Sequence, residues 1–366
     1  MASPLKIARD ILFRDRDQHA IPVMDGNLSP NDLLEHAGEI RTFETVPDDI
    51  AISDDGGIYV SVGPDVLKAP KDADEDWQTF ATLPNDTGGL CLHPDGRLLV
   101  CVSGEGLAAI SPDGEISWVR ASEGVALLCL TAVTTAEDGT IYMTEGSATN
   151  APNHWMQDLM QGNASGRLVR CDAELGKAIT LRGNLAFPHG VMLTDDQQGV
   201  IYCESWSHTI TRCDRDGGYP EKLVRNLPGY PSQLASDGAG GFWLSLFAVR
   251  THLVELVLSD PPFKTRMMAE IDPRFWISPS MRATGSYMEP LQGGGIKKLG
   301  IIKPWAPPRS YGLVAHVDQE GEIIESLHSR VGGGCHGVTS ARPHGGNLYV
   351  ISHGHQRLVK HKLETV

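Results

Sequence analysis

The chain has 366 residues, 41% of them hydrophobic, which is enough for one large globular domain or two ordinary ones. Its 46 acidic residues stand against 31 Lys and Arg, a formal net charge of -15. That balance repels polyanions and excludes the basic stripe that a nucleic-acid backbone requires.

The first residues, "MASPLKIARDILFRDRDQHAIPV", break every apolar stretch with Arg or Asp. They supply neither the core of a signal peptide nor a membrane span, so a soluble cytoplasmic protein without a membrane partner is expected. Residues 1–39 read as an N-terminal extension packing on the domain that follows, 40–366. Six segments then share one pattern: "DDIAISDDGGIYVSV", "GGLCLHPDGRLLVCV", "LTAVTTAEDGTIYMTE", "HGVMLTDDQQGVIYCE", "SQLASDGAGGFWLSL" and "HGVTSARPHGGNLYVIS". Each is an alternating strand, a turn usually rich in Asp or Gly, and a second apolar strand. Most repeat at about 40 residues, the length of a four-stranded propeller blade. The fold class predicted is all-β, a six-bladed β-propeller.

Two stretches interrupt the spacing. "HWMQDLMQ", after the third hairpin, has the pattern of one or two helical turns. Residues 249–310, between "GGFWLSLF" and "YGLVAHVDQEGEII", begin with helical spacing and continue with loop chemistry; they are predicted to form a cap insertion. Met281, Tyr287, Met288 and Trp276 within it would form an apolar lid over a hydrophobic small-molecule substrate or merely pack the cap. The seven cysteines are odd in number and contain no Cys-x-x-Cys pair, which suits reduced thiols in strands; Cys335, beside His336, is the one worth watching for reactivity. The triple-glycine runs at 293–295 and 332–334 lack the lysine and helix start of a phosphate loop, and there is neither a G-x-S-x-G nor an H-E-x-x-H motif.

Four stretches, "HWMQDLMQGNASGRLVRCD", "NLAFPHGVML…VIYCESWSHTITRCD", "NLPGYPSQLASDGAGGFWLSLFAVR" and "YGLVAHVDQEGEIIESL", resemble the strictosidine synthase-like proteins. Those belong to a wider superfamily of propeller lactonases that includes gluconolactonase and paraoxonase. The resemblance implies a calcium or other divalent ion on the propeller axis, acting as Lewis acid on a lactone carbonyl. Asp48 of "VPDDIAI", with Asp49 beside it, matches the first acidic ligand. The other matching positions diverge: Thr131 and Ala132 stand in "CLTAVTTAEDG", His189 in "PHGV", and Ser232 with Gln233 in "PSQL". This set does not make an oxygen-rich calcium cage. The catalytic glutamate of strictosidine synthase itself falls at His336.

The two "HGV" tripeptides are expected at equivalent blade positions, with both imidazoles and Asp48 in the funnel. Three readings stay open. His189 and His336 could serve as general base and acid with Asp48 orienting one ring. His189, His336 and Asp48 could instead bind a transition metal such as zinc. Or the funnel is a degenerate ligand-binding site. Glu204 and His208 in "ESWSHTI", Glu145 in "MTEG", and His353 and His355 in "ISHGHQ" are weaker funnel candidates. Thr131, Ser232, Gln233, Glu204, His208, His353 and Tyr287 form the expected substrate-binding set. The leading function is hydrolysis of a lactone or similar ester. The alternatives are a metal-free lyase, isomerase or condensing enzyme and a non-catalytic binding propeller; zinc, calcium or no metal, and the oligomeric state, are left open.

Overall fold

The computed structural model describes residues 20–70, 76–283, 310–363 and a short hairpin of Lys297–Lys298 with Ile301–Ile302. Every repeated hairpin is the inner half of a four-stranded antiparallel sheet, and six such sheets surround one axis as a six-bladed propeller. Blade one comprises Pro47–Ile52, Ile58–Val62, Asp65–Ala69 and Gln78–Thr82; blade two, Thr87–Leu92, Leu98–Val102, Gly106–Ile110 and Ile116–Val119; blade three, Leu130–Thr135, Ile141–Glu145, Gly166–Cys171 and Ala178–Leu185. Blade four runs through Pro188–Leu193, Gly199–Glu204, Thr209–Asp214 and Glu221–Val224; blade five through Gly229–Ser236, Phe242–Val249, Gly312–Val317 and Ile323–Ser329. Blade six takes Val338–His344, Asn347–Ser352 and Arg357–Lys362 from the end of the chain and its outer strand, Gly38–Thr42, from the beginning. That pairing of Gly38 with Lys360 and Thr42 with Arg357 ties the two ends of the ring together.

The alternation in the inner strands explains the packing. One set of side chains from each blade meets the facing set of the next, so buried apolar residues form a cluster at each of the six interfaces. Between blades one and two, for example, Val66 and Leu83 meet Leu98, Val100 and Ile110. Each fully buried aliphatic side chain contributes roughly 1.5–3 kcal/mol. The turns that join the inner strands put Gly96 and Gly139 at φ of 92° and 82°, a region costly for any residue with a Cβ.

Residues just before the ring cover the outer edge of blade five. Asn27 Nδ2 donates to the Ile323 carbonyl at 2.9 Å and Asn31 Nδ2 to the Ser326 carbonyl at 2.8 Å, while Asn31 Oδ1 accepts from His328 N at 3.0 Å. A free row of strand edge groups is thereby partnered. Above the funnel lie helix α1 (Trp155–Gln161), closed by Gly162 in the left-handed region, and helices α2 (His252–Ser259) and α3 (Pro261–Glu270) of the insertion. Thr251 and Asp260 cap α2 and α3 by accepting from Val254 N and Phe263 N. Leu159, Met160, Tyr230, Phe247, Val257, Met267 and Trp276 form a seventh cluster that fastens these helices to blade five.

Candidate active site

The pairing of first and second strands slips at the same place in every blade: after Pro47, Thr87, Leu130, Pro188, Pro231 and Val338. A β-bulge bends its strand and re-aims the unpaired residue. Six bulges therefore define a ring of equivalent positions: Asp48, Gly88, Thr131, His189, Ser232 and Thr339. All but Ser232 line a cavity of about 400 Å³ at the axis, a volume suited to a small molecule.

Asp48 and His189 belong to blades one and four, which face each other across six-fold symmetry. The Nδ1 atom of His189 is buried and has no hydrogen-bond partner among the described residues. Burial holds this imidazole below its ordinary pKa, opposed by the nearby Asp48 and Asp49 carboxylates. His353 also lines the cavity, with a buried, unpartnered Nδ1 that lies 3.7 Å from Asp48 Oδ1. Buried polar atoms are nearly always satisfied in folded proteins, so two imidazoles at one cavity whose Nδ1 atoms lack partners among the described residues single this cavity out.

The walls are unlike one another. Trp155, Phe187, Phe247, Leu130 and Met281 make one side apolar, whereas Asp48, Asp86, Thr87, Ser103, Thr339 and His353 make the other polar. The aromatic side is held from behind. Asp158, buried in α1, accepts from Trp206 Nε1 at 2.8 Å, and Trp206 stacks on Phe187 at 4.4 Å between ring centroids. Phe187, held at φ 55°, meets His189 edge to face at 6.2 Å.

Asp48, Thr131, His189 and His353 are thus together, but several residues expected with them are elsewhere. His336 is a correction: it does not line the cavity. Its Nδ1 pairs with Ser310 Oγ and its Nε2 with the Arg330 carbonyl, both at 2.9 Å, beside the return of the insertion to blade five. Thr339, three residues further on, is the true counterpart of His189. Ser232 and Gln233 are buried away from the cavity: Ser232 Oγ donates to the Thr339 carbonyl at 2.7 Å, and Gln233 Nε2 to the Thr131 carbonyl at 2.9 Å. Glu204 accepts from Ala186 N at 2.8 Å, and His208 Nδ1 pairs with the Gly229 carbonyl at 3.1 Å. Neither lines the cavity. Glu145 accepts from Leu128 N and pairs with Arg167; burial still raises its carboxyl pKa. His355 accepts from His336 N, and burial pushes its pKa to about 4. Cys335 is buried, its thiol pushed up to about 12, so it is no reactive thiolate. Tyr287 and Met288 lie outside the described residues.

Asp49 has a different task. Its carboxylate accepts from Leu90 N of blade two at 2.9 Å and Ser340 Oγ of blade six at 2.6 Å, and pairs with Arg342 at 3.3 Å. One side chain thereby joins three blades beneath the cavity. Cavity residues that the repeat pattern did not single out include Trp155, Phe187, Phe247 and Asp86; comparing "PNDTGGL" with "VPDDIAI" could have found Asp86, since both run into a ring position.

The donors do not fit the divalent-ion cage implied by the fold. At the ring, only Asp48 offers a carboxylate; Gly88 offers no side chain, and the hydroxyl of Thr131 donates to the Pro188 carbonyl at 2.9 Å. His189 is a nitrogen donor, poorly matched to a hard cation. Among the described residues no three His, Cys, Asp or Glu side chains form a metal-holding group, and the separation of His336 breaks the Asp48, His189, His336 set. No helix among the described residues is long and apolar enough to cross a membrane.

A family model for strictosidine synthase matches residues 131–215. The chain is 31% identical over 225 residues to Protein STRICTOSIDINE SYNTHASE-LIKE 6 of Arabidopsis thaliana, covering 59% of this chain and 60% of that protein's length. It is 26% identical over 355 residues to the adipocyte plasma membrane-associated protein of Bos taurus, covering 90% and 79% respectively. Among solved structures, a gluconolactonase from Xanthomonas campestris superposes with a TM-score of 0.59 at 14% identity, over 89% of each chain. Regucalcin, a calcium-binding protein from Agrobacterium tumefaciens, does so with 0.58 at 11% identity, over 90% of this chain and 94% of its own. At such identities these two structures speak for the fold alone. The chain is thus similar to the strictosidine synthase-like proteins, spanning about 60% of the length of the Arabidopsis relative, and is built on the six-bladed propeller fold seen in gluconolactonase and regucalcin.

Proposed function

We propose that this protein is a small-molecule hydrolase of the lactonase or esterase type, acting at the axial funnel. The observation that carries the reading is His189, an imidazole on the ring of a cavity, with a buried Nδ1 that no group among the described residues satisfies. Burial favours its neutral form at pH 7, the form a general base needs. In this reading an apolar-bodied ester or lactone rests against Trp155, Phe187 and Phe247. His189 takes a proton from a water that attacks the carbonyl carbon; the bond to the leaving oxygen then breaks, and His353 supplies that oxygen with a proton. Asp48, 3.7 Å from His353 Nδ1 and across the funnel from His189, stabilises the positive charge on whichever ring holds the proton.

The test is proton release from a panel of aryl esters and five- and six-membered lactones at constant pH. Saturable hydrolysis that falls at least 100-fold in His189→Ala, with the fold intact by circular dichroism, supports the reading. Ligands that bind without turnover would make the funnel a binding site instead.

A further inference from the structure

We propose that the funnel selects its ligands by charge, admitting neutral or cationic molecules with apolar bodies and rejecting anionic ones, and that Asp86 is a specificity determinant. The inference deepens the reading of this funnel as the substrate site, but it concerns binding and holds or fails separately from hydrolysis. Among the described residues that line the cavity there are two carboxylates, Asp48 and Asp86, and no Lys or Arg. Arg342 is engaged below the ring with Asp49 and with the Leu234 carbonyl, to which it donates at 2.7 Å. No permanently cationic side chain among these residues is positioned to receive a carboxylate, phosphate or sulfate, and the one imidazole near an open carboxylate, His353, faces Asp48.

Asp48 and Asp86 stand on neighbouring blades, at the ring and just before it. The Asp48 side chain is 26% exposed, so it keeps an open face while 3.7 Å from His353. Asp86 is exposed at the rim, and its carboxylate makes no hydrogen bond among the described residues. The opposite wall adds the faces or edges of Trp155, Phe187 and Phe247, surfaces that accept hydrocarbon and a cation alike. His189, whose Nδ1 has no hydrogen-bond partner among the described residues, stands on this aromatic side against Phe187 and Phe247. A concave site walled by low-dielectric groups focuses the field of its charges, and the chain's net charge of -15 adds to that field at long range.

Three near-isosteric probes separate charge from shape: 4-tert-butylphenol, 4-(trimethylammonio)phenol and 4-hydroxybenzoate. Their affinities are measured by calorimetry on the full chain, and turnover of the corresponding aryl acetates is followed in parallel. The cation is expected to bind at least as tightly as the neutral phenol and the anion at least tenfold more weakly. Asp86→Asn should narrow the cation-to-anion ratio several-fold while leaving the neutral probe unchanged, and 0.5 M NaCl should narrow it too. An anion that binds as well as the neutral probe, a ratio indifferent to Asp86→Asn, or no binding by any of the three would overturn the proposal. Charge-ordered binding without hydrolysis would sink only the hydrolase reading, whereas hydrolysis indifferent to charge would sink only this one.

Discussion

Asp48 and His189 occupy the same bulge position in blades one and four and face each other across the funnel. His336, which shares a tripeptide with His189, does not join them, because both its ring nitrogens are engaged at the return of the insertion. His336→Ala should therefore act on stability rather than chemistry. Losing two buried hydrogen bonds is expected to cost about 1–3 kcal/mol in urea unfolding, with kcat changed no more than a few-fold. A loss of kcat comparable to that in His189→Ala, at unchanged stability, would put His336 back in the chemistry.

If His189 is the base of the proposed hydrolysis, it sets the acid limb of activity. Its pKa is held below the ordinary 6.5 by burial, so the neutral base persists through pH 7 and is lost only as pH falls below that value. A profile of kcat/KM against pH should be level near neutrality and drop with a midpoint under 6.5. A midpoint above 7 would point to another group.

Asp49 tests how the ring of blades is held. Its removal strands the Leu90 amide and the Ser340 hydroxyl and leaves Arg342 without its carboxylate. Asp49→Ala should lower unfolding free energy by about 3–5 kcal/mol, the cost of breaking a buried charge pair from one side. Asp48→Asn, on the open face, should stay within about 0.5 kcal/mol of the parent.

His328 contributes to acid sensitivity. It pairs with the Tyr311 hydroxyl and Ser326 Oγ, and burial, helped by Arg330, pushes its pKa down to about 4. The unfolded chain, with an ordinary value of 6.5, binds the proton more readily than the folded one. Its contribution is thus present in full above pH 6.5 and is lost as pH falls toward 4. Denaturant titrations across that window should show a shallower slope of stability against pH in His328→Gln; an unchanged slope would remove His328 from the acid transition.

The six hairpins were legible in the sequence because turn chemistry and strand alternation are local, and so were four ring positions, Asp48, Thr131, His189 and Ser232. Register was not. A bulge admits an extra residue without a sequence mark, so two identical tripeptides suggested one position, while the pairing of Val338 with Ser352 sets Thr339, not His336, at the ring. Nor does a pattern tell which hydroxyl a neighbouring carbonyl has claimed, as at Ser232. The aromatic wall was hidden for another reason: Trp155, Phe187 and Phe247 come from a helix, a loop before a strand and a strand end, brought together only by the stacked blades and the cap.

The most direct measurement is kcat/KM for the best-hydrolysed ester or lactone in the parent, His189→Ala and His189→Gln, with affinity for a non-hydrolysable analogue measured alongside. A fall of 100-fold or more in turnover in both variants, with analogue affinity within a few-fold, is the expected result. Turnover preserved in His189→Ala would contradict the assignment of the funnel imidazole as the base.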